Sequence, residues 1–434
     1  MRDVTSLMKR SALLDSLIRR PPGLYHRLRA EIAAEDRLPL EERSARQRTR
    51  LRAMVARATR APHYAGLGEL TDPDDIPLLD KAAIRADYRR FLAGSERGTS
   101  RATTSGSTGV PLVLRRSAYS VIYEQATVDH VIAQAGPDPV RARAMMLKAD
   151  TILDADDHDA PFWRQVSPTS IAMSAPHLSR ESWRDYAKLI RDFKPDILFA
   201  FTSAAELLVS YLEDGGERLS VPLCVTSCET PPEGLRARVR DRLGGAMLDI
   251  YGQAERVAFA TALEDGDYRF RPDYGAVEFL PTEAGFELVS TGLRNAAQVF
   301  LRYRTGDVVD VGEARDTAAL KRIILGIDGF RGVSGRTSEY IRRRDGSRII
   351  GLNHMVRDIP GVASAQIVQR DFDRVEFIII PAADFDEDCR AALMRRISAK
   401  LPASFRIEIT LAESPLRTAA GKAPLFICDL GSAA

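Results

Sequence analysis

Along residues 43–60 the apolar positions Leu51, Met54, Val55 and Ala58 recur at helical spacing, with arginines on the opposite face. That pattern predicts an amphipathic helix laid by one stripe on the body of the protein. The same period predicts helices over Glu181–Phe193 and Ala204–Glu213. Short apolar runs beside them, Ala144–Leu147, Asp196–Phe201 and Val221–Val225, read as buried strands. Helices alternating with short buried strands imply an α/β fold, a layered domain around a largely parallel sheet. From Tyr268 to Val311 the pattern turns strand-rich, with Gly275–Leu280, Phe286–Ser290 and Val299–Tyr303 as candidates, which implies a small antiparallel or β-barrel-like subdomain. After Gly335, the segments Ala365–Gln369, Arg374–Pro381, Asp386–Ala399 and Phe405–Leu411 read strand, strand, helix, strand. This is a compact α+β unit of roughly 100 residues. The expected organisation is therefore a large N-terminal domain, 1–335, and a small C-terminal domain, 336–434, divided at Gly332–Gly335.

Composition changes this picture little. The 434 residues are 45% hydrophobic and 28% charged, as in soluble globular proteins, and the length asks for more than one core. A net charge of +2 argues against a dedicated nucleic-acid binder. The basic residues gather at the front, where residues 1–60 hold 15 Arg and Lys against 7 Asp and Glu. A helix face packed on the main body accounts for this, and contact with an anionic partner is the alternative. Met1–Arg20 lacks an apolar run long enough for a secretory signal, and no window approaches a membrane span, so a cytoplasmic location is expected. Cys224, Cys228, Cys389 and Cys428 have no paired metal spacing and are expected to be buried thiols.

The candidate chemistry begins at Thr103–Leu112, where hydroxyl residues and two glycines precede an apolar run. Glycines let backbone amides approach a phosphate and hydroxyls add further donors. No Lys follows the last glycine, and the spacing is not G-x-G-x-x-G, so neither a Walker loop nor a dinucleotide fingerprint fits. Alone, such a cluster is an ordinary surface loop. Further on, Asp249–Glu255 reads as a strand end, a tight turn and a carboxylate. There a Tyr can stack on a purine and a Glu can hold Mg²⁺ between phosphate oxygens. In Arg302–Asp307 a strand runs into a turn ending in Asp, which can accept both ribose hydroxyls or simply close a hairpin. Gly335–Glu339 offers a pivot with Arg336 near a phosphate or ribose, and Arg417–Lys422 places one Lys in a small-residue loop.

In this order the segments resemble the signature set of the adenylate-forming superfamily of acyl-CoA synthetases, peptide-synthetase adenylation domains and luciferases. The phenylacetate–CoA ligase and CapK-like branch is the most similar. Thr104–Pro111 is similar to its phosphate loop, Tyr251–Glu255 to its Tyr-Gly-x-x-Glu element, and Tyr303–Asp307 to Tyr-Arg-Thr-Gly-Asp. Gly335-Arg336 and Gly421-Lys422 resemble the hinge and the C-terminal lysine loop, and Pro62–Tyr64, Ile76–Lys81 and Phe193–Asp196 also look like this branch.

The resemblance implies that Thr104, Ser105, Gly106, Ser107, Thr108 and Gly109 hold the β- and γ-phosphates of ATP. Ser227, Cys228 and Glu229 would line the adenine site, Tyr251 and Gly252 flank the base, Glu255 hold Mg²⁺ and Asp307 bind the ribose. Arg336 would approach the nucleotide from the junction, Lys422 would be the catalytic lysine of adenylation, and the C-terminal domain would be mobile. The implied activity is ATP-dependent activation of an aryl or small carboxylic acid through an acyl-adenylate, with CoA as co-substrate. Other members of the branch pass the acyl group to a carrier protein, an amine or a hydroxyl, or adenylate without CoA. An adenylyltransferase and a degenerate nucleotide-binding homologue are the alternatives, and a homodimer is one expected assembly. Departures fall at Ser338 and Glu339 of the hinge, and at Thr261–Tyr268, which has no Cys or His, so no structural zinc is expected. Arg342–Ser347 is basic enough to meet the phosphates of CoA, although a surface hairpin is equally plausible. Phe199, Phe201, Thr202 and Phe259 are candidate pocket residues, with core packing as the alternative.

Overall fold

The computed structural model describes residues 12–68, 72–103, 112–148, 161–175, 177–178, 181–227, 231, 234–282, 285–314, 316–336, 341–345, 348–349, 353–356, 359, 361–381, 385–412, 416 and 426–430. A hairpin of β1 (Ser100–Thr103) and β2 (Val113–Arg116) precedes the first layered domain. Its sheet is built from β3 (Ala144–Lys148), β4 (Trp163–Ser167), β5 (Ser170–Ser174), β6 (Ile197–Phe201), β7 (Leu223–Ser227), β8 (Ala246–Gly252), β9 (Phe259–Ala262) and β10 (Tyr268–Phe270). The eight strands lie in the order β10-β9-β8-β7-β6-β3-β5-β4. The middle five are parallel, and antiparallel strands finish both edges.

Strands buried on both faces read as continuous apolar runs, and alternate side chains serve opposite layers. Leu198, Cys224 and Met247 face a core made with the helices Trp183–Phe193, Thr202–Asp214 and Leu235–Leu243. Ile197, Leu223, Val225 and Leu248 face the other core, made with Leu24–Glu35 and Ala118–Gln134. The expected strand at Val221–Val225 begins two residues later, at Leu223. Pro222 has no N–H for the ladder, and Val221 bonds instead to the Leu243 carbonyl at 2.7 Å.

The second sheet is antiparallel, in the order β11-β12-β13-β14, from β11 (Gly275–Thr282), β12 (Gly285–Gly292), β13 (Tyr303–Asp310) and β14 (Gly332–Arg336). Here the expected strand at Val299–Tyr303 is corrected, because the ladder starts only at Tyr303. Arg302 has φ 44, a left-handed conformation that breaks an extended run before it. Its guanidinium is held by the Glu278 carboxylate at 2.8 Å and the Asp74 carbonyl at 2.7 Å. Val299, Phe300 and Leu301 are nonetheless buried, beside Tyr64, Leu79 and Phe91 of the N-terminal region.

Beyond these sheets, β15 (Ile341–Arg342) and β16 (Arg348–Ile349) form a hairpin, so the basic loop joins two strands as one of its two readings expected. β17 (Val362–Asp371), β18 (Arg374–Pro381), β19 (Arg406–Leu411) and β20 (Phe426–Cys428) form a sheet in the order β19-β18-β17-β20. The helix Glu387–Lys400 starts at Asp386, whose carboxylate accepts the Cys389 N–H at 2.9 Å. The core under this sheet is drawn wholly from residues between Ile341 and Phe426. Cys428 ends a three-residue edge strand and is exposed, so the expectation of a buried thiol fails there. Cys224 is buried, and burial followed by the nearby Asp249 carboxylate pushes its thiol up to about 12. Among the described residues no helix is long and apolar enough to cross a membrane.

Some of the arginines in and beside the N-terminal helices are tied inward, while Arg27, Arg48 and Arg52 face solvent. Arg50 meets the buried Glu35 at 2.5 Å, and Arg20 meets the buried Asp129 at 2.6 Å. Asp36, just past the Leu24–Glu35 helix, pairs with Arg271 and lies 2.6 Å from His130. Arg271 in turn pairs with Asp273 at 3.1 Å, and Tyr123 donates to Asp273 at 2.5 Å. Burial alone would raise the Asp273 carboxyl, but the Arg271 charge and the Tyr123 hydroxyl outweigh it and hold it at about 2. A folded-state value below the unfolded one stabilises the fold above about pH 4, and this contribution is lost as pH falls toward 2. Asp273→Asn is therefore expected to remove a pH-dependent share of roughly 2 kcal/mol. Urea unfolding of wild type and variant at stepped pH measures it. The gap between the two should narrow between pH 4 and pH 2, and a gap constant across that range contradicts the assignment.

Candidate functional site

The carboxyl end of β8 carries the segment Tyr251–Val257, which turns back into β9. Ligands of parallel sheets gather at such strand ends. The Gln253 side chain braces the turn, with Oε1 accepting the Ala258 N–H at 3.2 Å and Nε2 donating to the Tyr251 hydroxyl. Arg256 then takes φ 57, a left-handed conformation that costs a non-glycine residue about 1–3 kcal/mol. Buried contacts hold it there: Nη1 donates to the Ser120 carbonyl at 2.9 Å, and Nε lies 3.6 Å from Glu124. Beneath the turn, Gly275 of β11 and Gly292 of β12 sit opposite each other. A Cβ on Gly275 would lie 1.9 Å from the Val257 carbonyl oxygen, and one on Gly292 would lie 3.1 Å from that of Arg256. The paired glycines thus let the turn rest directly on the second sheet.

Two phenol–carboxylate hydrogen bonds then cross between the sheets in opposite senses. Tyr251 of β8 donates to Asp307 of β13 at 2.6 Å, and Tyr303 of β13 donates to Glu255 at 2.8 Å. Such charge-assisted bonds are each worth about 1.5–3 kcal/mol. Asp307 does not close a turn, as the sequence suggested, but sits within the strand at an irregularity of the ladder. Gly306 has φ 75 there, and Thr305 Oγ1 accepts the Asp307 N–H at 3.0 Å while donating to the Leu288 carbonyl at 2.8 Å. The backbone of Arg336 pairs with Asp307 across β13 and β14. Ser227 ends β7, with Ile250 as its ladder partner, one residue before Tyr251.

The fold therefore gathers Ser227, Tyr251, Gly252, Glu255, Asp307 and the main chain of Arg336 into one region. Thr104, Ser105, Gly106, Ser107, Thr108, Gly109, Cys228, Glu229, Ser338, Glu339 and Lys422 lie outside the described residues. Thr103 and Val113, which flank the expected phosphate loop, are paired in the hairpin. Of the pocket candidates, Phe259 is core, packed on Tyr274 with ring centroids 5.3 Å apart. Thr202 is buried, while Phe199 and Phe201 are half-buried against the two sides of the sheet.

Sequence reasoning missed several neighbours. Lys81 Nζ lies 3.9 Å from Glu255 Oε1, and its scarcity value as a lysine in an arginine-rich chain was the signal available. Tyr303 stood in a recognised segment but was given no role of its own, and Arg116, which donates to the Ala254 carbonyl at 2.6 Å, carried no motif. Among the described residues no three His, Cys, Asp or Glu side chains form a metal cluster. A lone carboxylate such as Glu255 has the oxygen donors that hard cations take.

No family model matches the chain. CapK of Staphylococcus aureus is 23% identical over 328 residues, 73% of this chain and 71% of that protein. Phenylacetate-coenzyme A ligase of Escherichia coli K12 is 26% identical over 282 residues, 60% of this chain and 63% of the ligase. In fold, the chain is similar to 2-hydroxyisobutyryl-CoA ligase solved with 2-HIB-AMP and CoA in the thioesterification state. The TM-score is 0.54 at 16% identity, with 91% of each chain covered. These similarities support a relationship to the adenylate-forming superfamily, in its phenylacetate–CoA ligase and CapK-like branch.

The glycines of the site separate structural from ligand-facing roles. Gly275→Ala is expected to cost about 2 kcal/mol or more, because the Val257 carbonyl has to move. A Cβ on Gly252 would meet nothing nearer than 3.9 Å, so Gly252→Ala should change stability by less than about 0.5 kcal/mol. Denaturant titration of both variants checks this, and equal stabilities would contradict the wedge at Gly275.

Proposed function

We propose that the chain is an AMP-forming carboxylic acid ligase that couples an aryl or small acid to CoA through an acyl-adenylate. The observation that carries the reading is the pair of crossed bonds, Tyr251 to Asp307 and Tyr303 to Glu255. They set two carboxylates of different task at the carboxyl end of a parallel sheet. The similarity to phenylacetate-coenzyme A ligases supports the same reading.

In this reading Asp307 accepts the ribose hydroxyls and Tyr251, held by its bond to Asp307, lies along the base with Gly252. Ser227, Cys228 and Glu229 line the adenine side, and Arg336 approaches from the strand beside Asp307. The loop Thr104–Gly109 grips the β- and γ-phosphates with backbone amides and hydroxyls. Glu255 holds Mg²⁺, which when bound neutralises phosphate charge during the attack. The Tyr303 hydroxyl fixes one oxygen of that carboxylate at 2.8 Å, so the metal ligand is oriented before the nucleotide arrives.

The acid's carboxylate oxygen attacks the α-phosphorus, the bond from that phosphorus to the β-phosphate oxygen breaks, and pyrophosphate leaves. An anion meets an anion here, so positive charge on the developing transition state is the main requirement, and Lys422 supplies it. Residues 336–434 then turn away as a mobile domain. The CoA thiol attacks the acyl carbon, AMP departs with the former carboxylate oxygen, and the thiol proton passes to solvent.

Pyrophosphate exchange against a panel of aryl, amino and short-chain acids tests the reading. Exchange with at least one acid, and acyl-CoA formation with the same acid once CoA is added, are the expected results. Silence with every acid contradicts it. For Lys422→Ala, acyl-adenylate formation should fall at least about a hundredfold, while thioester formation from preformed adenylate stays within a few-fold. Equal losses in the two half-reactions, measured in single turnover, would remove Lys422 from its assigned role.

A further inference from the structure

We infer that Lys81 neutralises the Glu255 carboxylate until a metal takes its place, so that the site accepts nucleotide phosphates before the metal is bound. The inference rests on the ligase reading above. The Lys81 ammonium stands 3.9 Å from Glu255 Oε1. That same oxygen accepts the Tyr303 hydroxyl at 2.8 Å. The Glu255 side chain is only 2% exposed, against 20% for Lys81, so the lysine reaches inward from the more open side. Buried charges are held in pairs, and a neutral phenol by itself does not complete one.

The chain is built to bring Lys81 to this place. Two residues earlier, Leu79 bridges to Tyr303, the residue whose hydroxyl holds Glu255. The Leu79 N–H donates to the Arg302 carbonyl at 2.9 Å, and its own carbonyl accepts the Arg304 N–H at 2.9 Å. Asp80 lies 3.6 Å from Arg304. The Arg302 guanidinium, held on Glu278, donates to the carbonyls of Asp74 and Ile76 at 2.7 and 2.8 Å. The chain before Lys81 is therefore stitched along β13, and Lys81 opens the helix Lys81–Ala86 that follows. The residue that orients Glu255 and the residue that neutralises it ride on paired backbones.

Arg116 and Arg256, also beside this turn, are committed elsewhere. Arg116 donates to the Ala254 carbonyl at 2.6 Å, and Arg256 donates to the Ser120 carbonyl and faces Glu124. Lys81 differs in kind. At 3.9 Å its ammonium is within ion-pair range of Oε1 but beyond a direct hydrogen bond. It is a compact charge on a flexible four-carbon stem, which can give way when a metal takes the carboxylate. With Lys81 in place, a triphosphate meets a neutral pair. Without it, metal-free ATP faces a carboxylate of its own sign. Bound Mg²⁺ makes the ammonium redundant, and AMP, whose contacts are assigned to Asp307, Tyr251 and the adenine wall, is indifferent to it.

Calorimetric titration of the full-length protein with ATP in chelator, with MgATP and with AMP tests this. The wild type is expected to bind ATP in chelator. Lys81→Met should weaken that affinity about tenfold or more, while MgATP and AMP stay within about threefold. Added to Glu255→Gln, the same substitution should cost metal-free ATP less than about threefold, because no carboxylate is left to neutralise. Lys81→Gln carries the comparison if the methionine variant does not fold. A wild type that binds MgATP but not metal-free ATP would overturn the inference, as would a metal-free affinity unchanged by Lys81→Met. Equal losses in all three titrations would make Lys81 a general prop, and a loss that persists beside Glu255→Gln would assign it to the nucleotide itself; either result overturns the inference. A wild type that binds neither nucleotide, with or without metal, would instead remove the ligase reading and this inference with it.

Discussion

Two crossed phenol–carboxylate hydrogen bonds join the parallel sheet to the antiparallel one, and the site depends on them. Tyr251 and Glu255 belong to the end of one sheet, and Asp307 and Tyr303 belong to a strand of the other. Each side supplies one phenol and one carboxylate, so the two sheets are tied together at two points. Each carboxylate thereby gains a fixed orientation. An enzyme that must bring an anion to a triphosphate needs its charges preorganised in this way, since reorganising them during the reaction would add to the barrier.

That junction asks for a backbone which ordinary side chains would not permit. The turn from Gln253 to Val257 comes within contact distance of the second sheet only because Gly275 and Gly292 face it without Cβ atoms. It also holds Arg256 in a conformation that L-residues avoid, with Ser120 and Glu124 of the Ala118–Gln134 helix as anchors. The same helix carries Tyr123 and Asp129, which tie in the N-terminal helices through Asp273 and Arg20. The basic front of the chain is thus internal scaffolding as much as surface, and its arginines reach the elements that support the site.

Much of this was legible in the sequence, and the limits have physical causes. Tyr251, Glu255 and Asp307 stood out because each lies in a short contiguous segment whose residue types suit nucleotide chemistry. The strands of the parallel sheet were legible because burial on both faces leaves unbroken apolar runs such as Ile197–Phe201. Val299–Tyr303 was misread as a strand because apolar periodicity reports burial, not the φ of 44 at Arg302 that breaks the ladder. The strand at Phe426–Cys428 is three residues long, too short to carry a period. Tyr303 and Glu255, 48 residues apart, become partners only once both sheets exist. Arg116 was invisible for a different reason, since one arginine among so many carries no signal until its partner, a backbone carbonyl, is known.

In the proposed reading, a nucleotide's ribose and its metal-bound phosphates meet the protein at this junction. A crystal structure of the full-length protein with AMP tests it most directly. The ribose hydroxyls are expected on the Asp307 carboxylate, with the Tyr251–Asp307 and Tyr303–Glu255 bonds both retained. AMP bound away from Asp307, or bound there with the crossed pair broken, would contradict it.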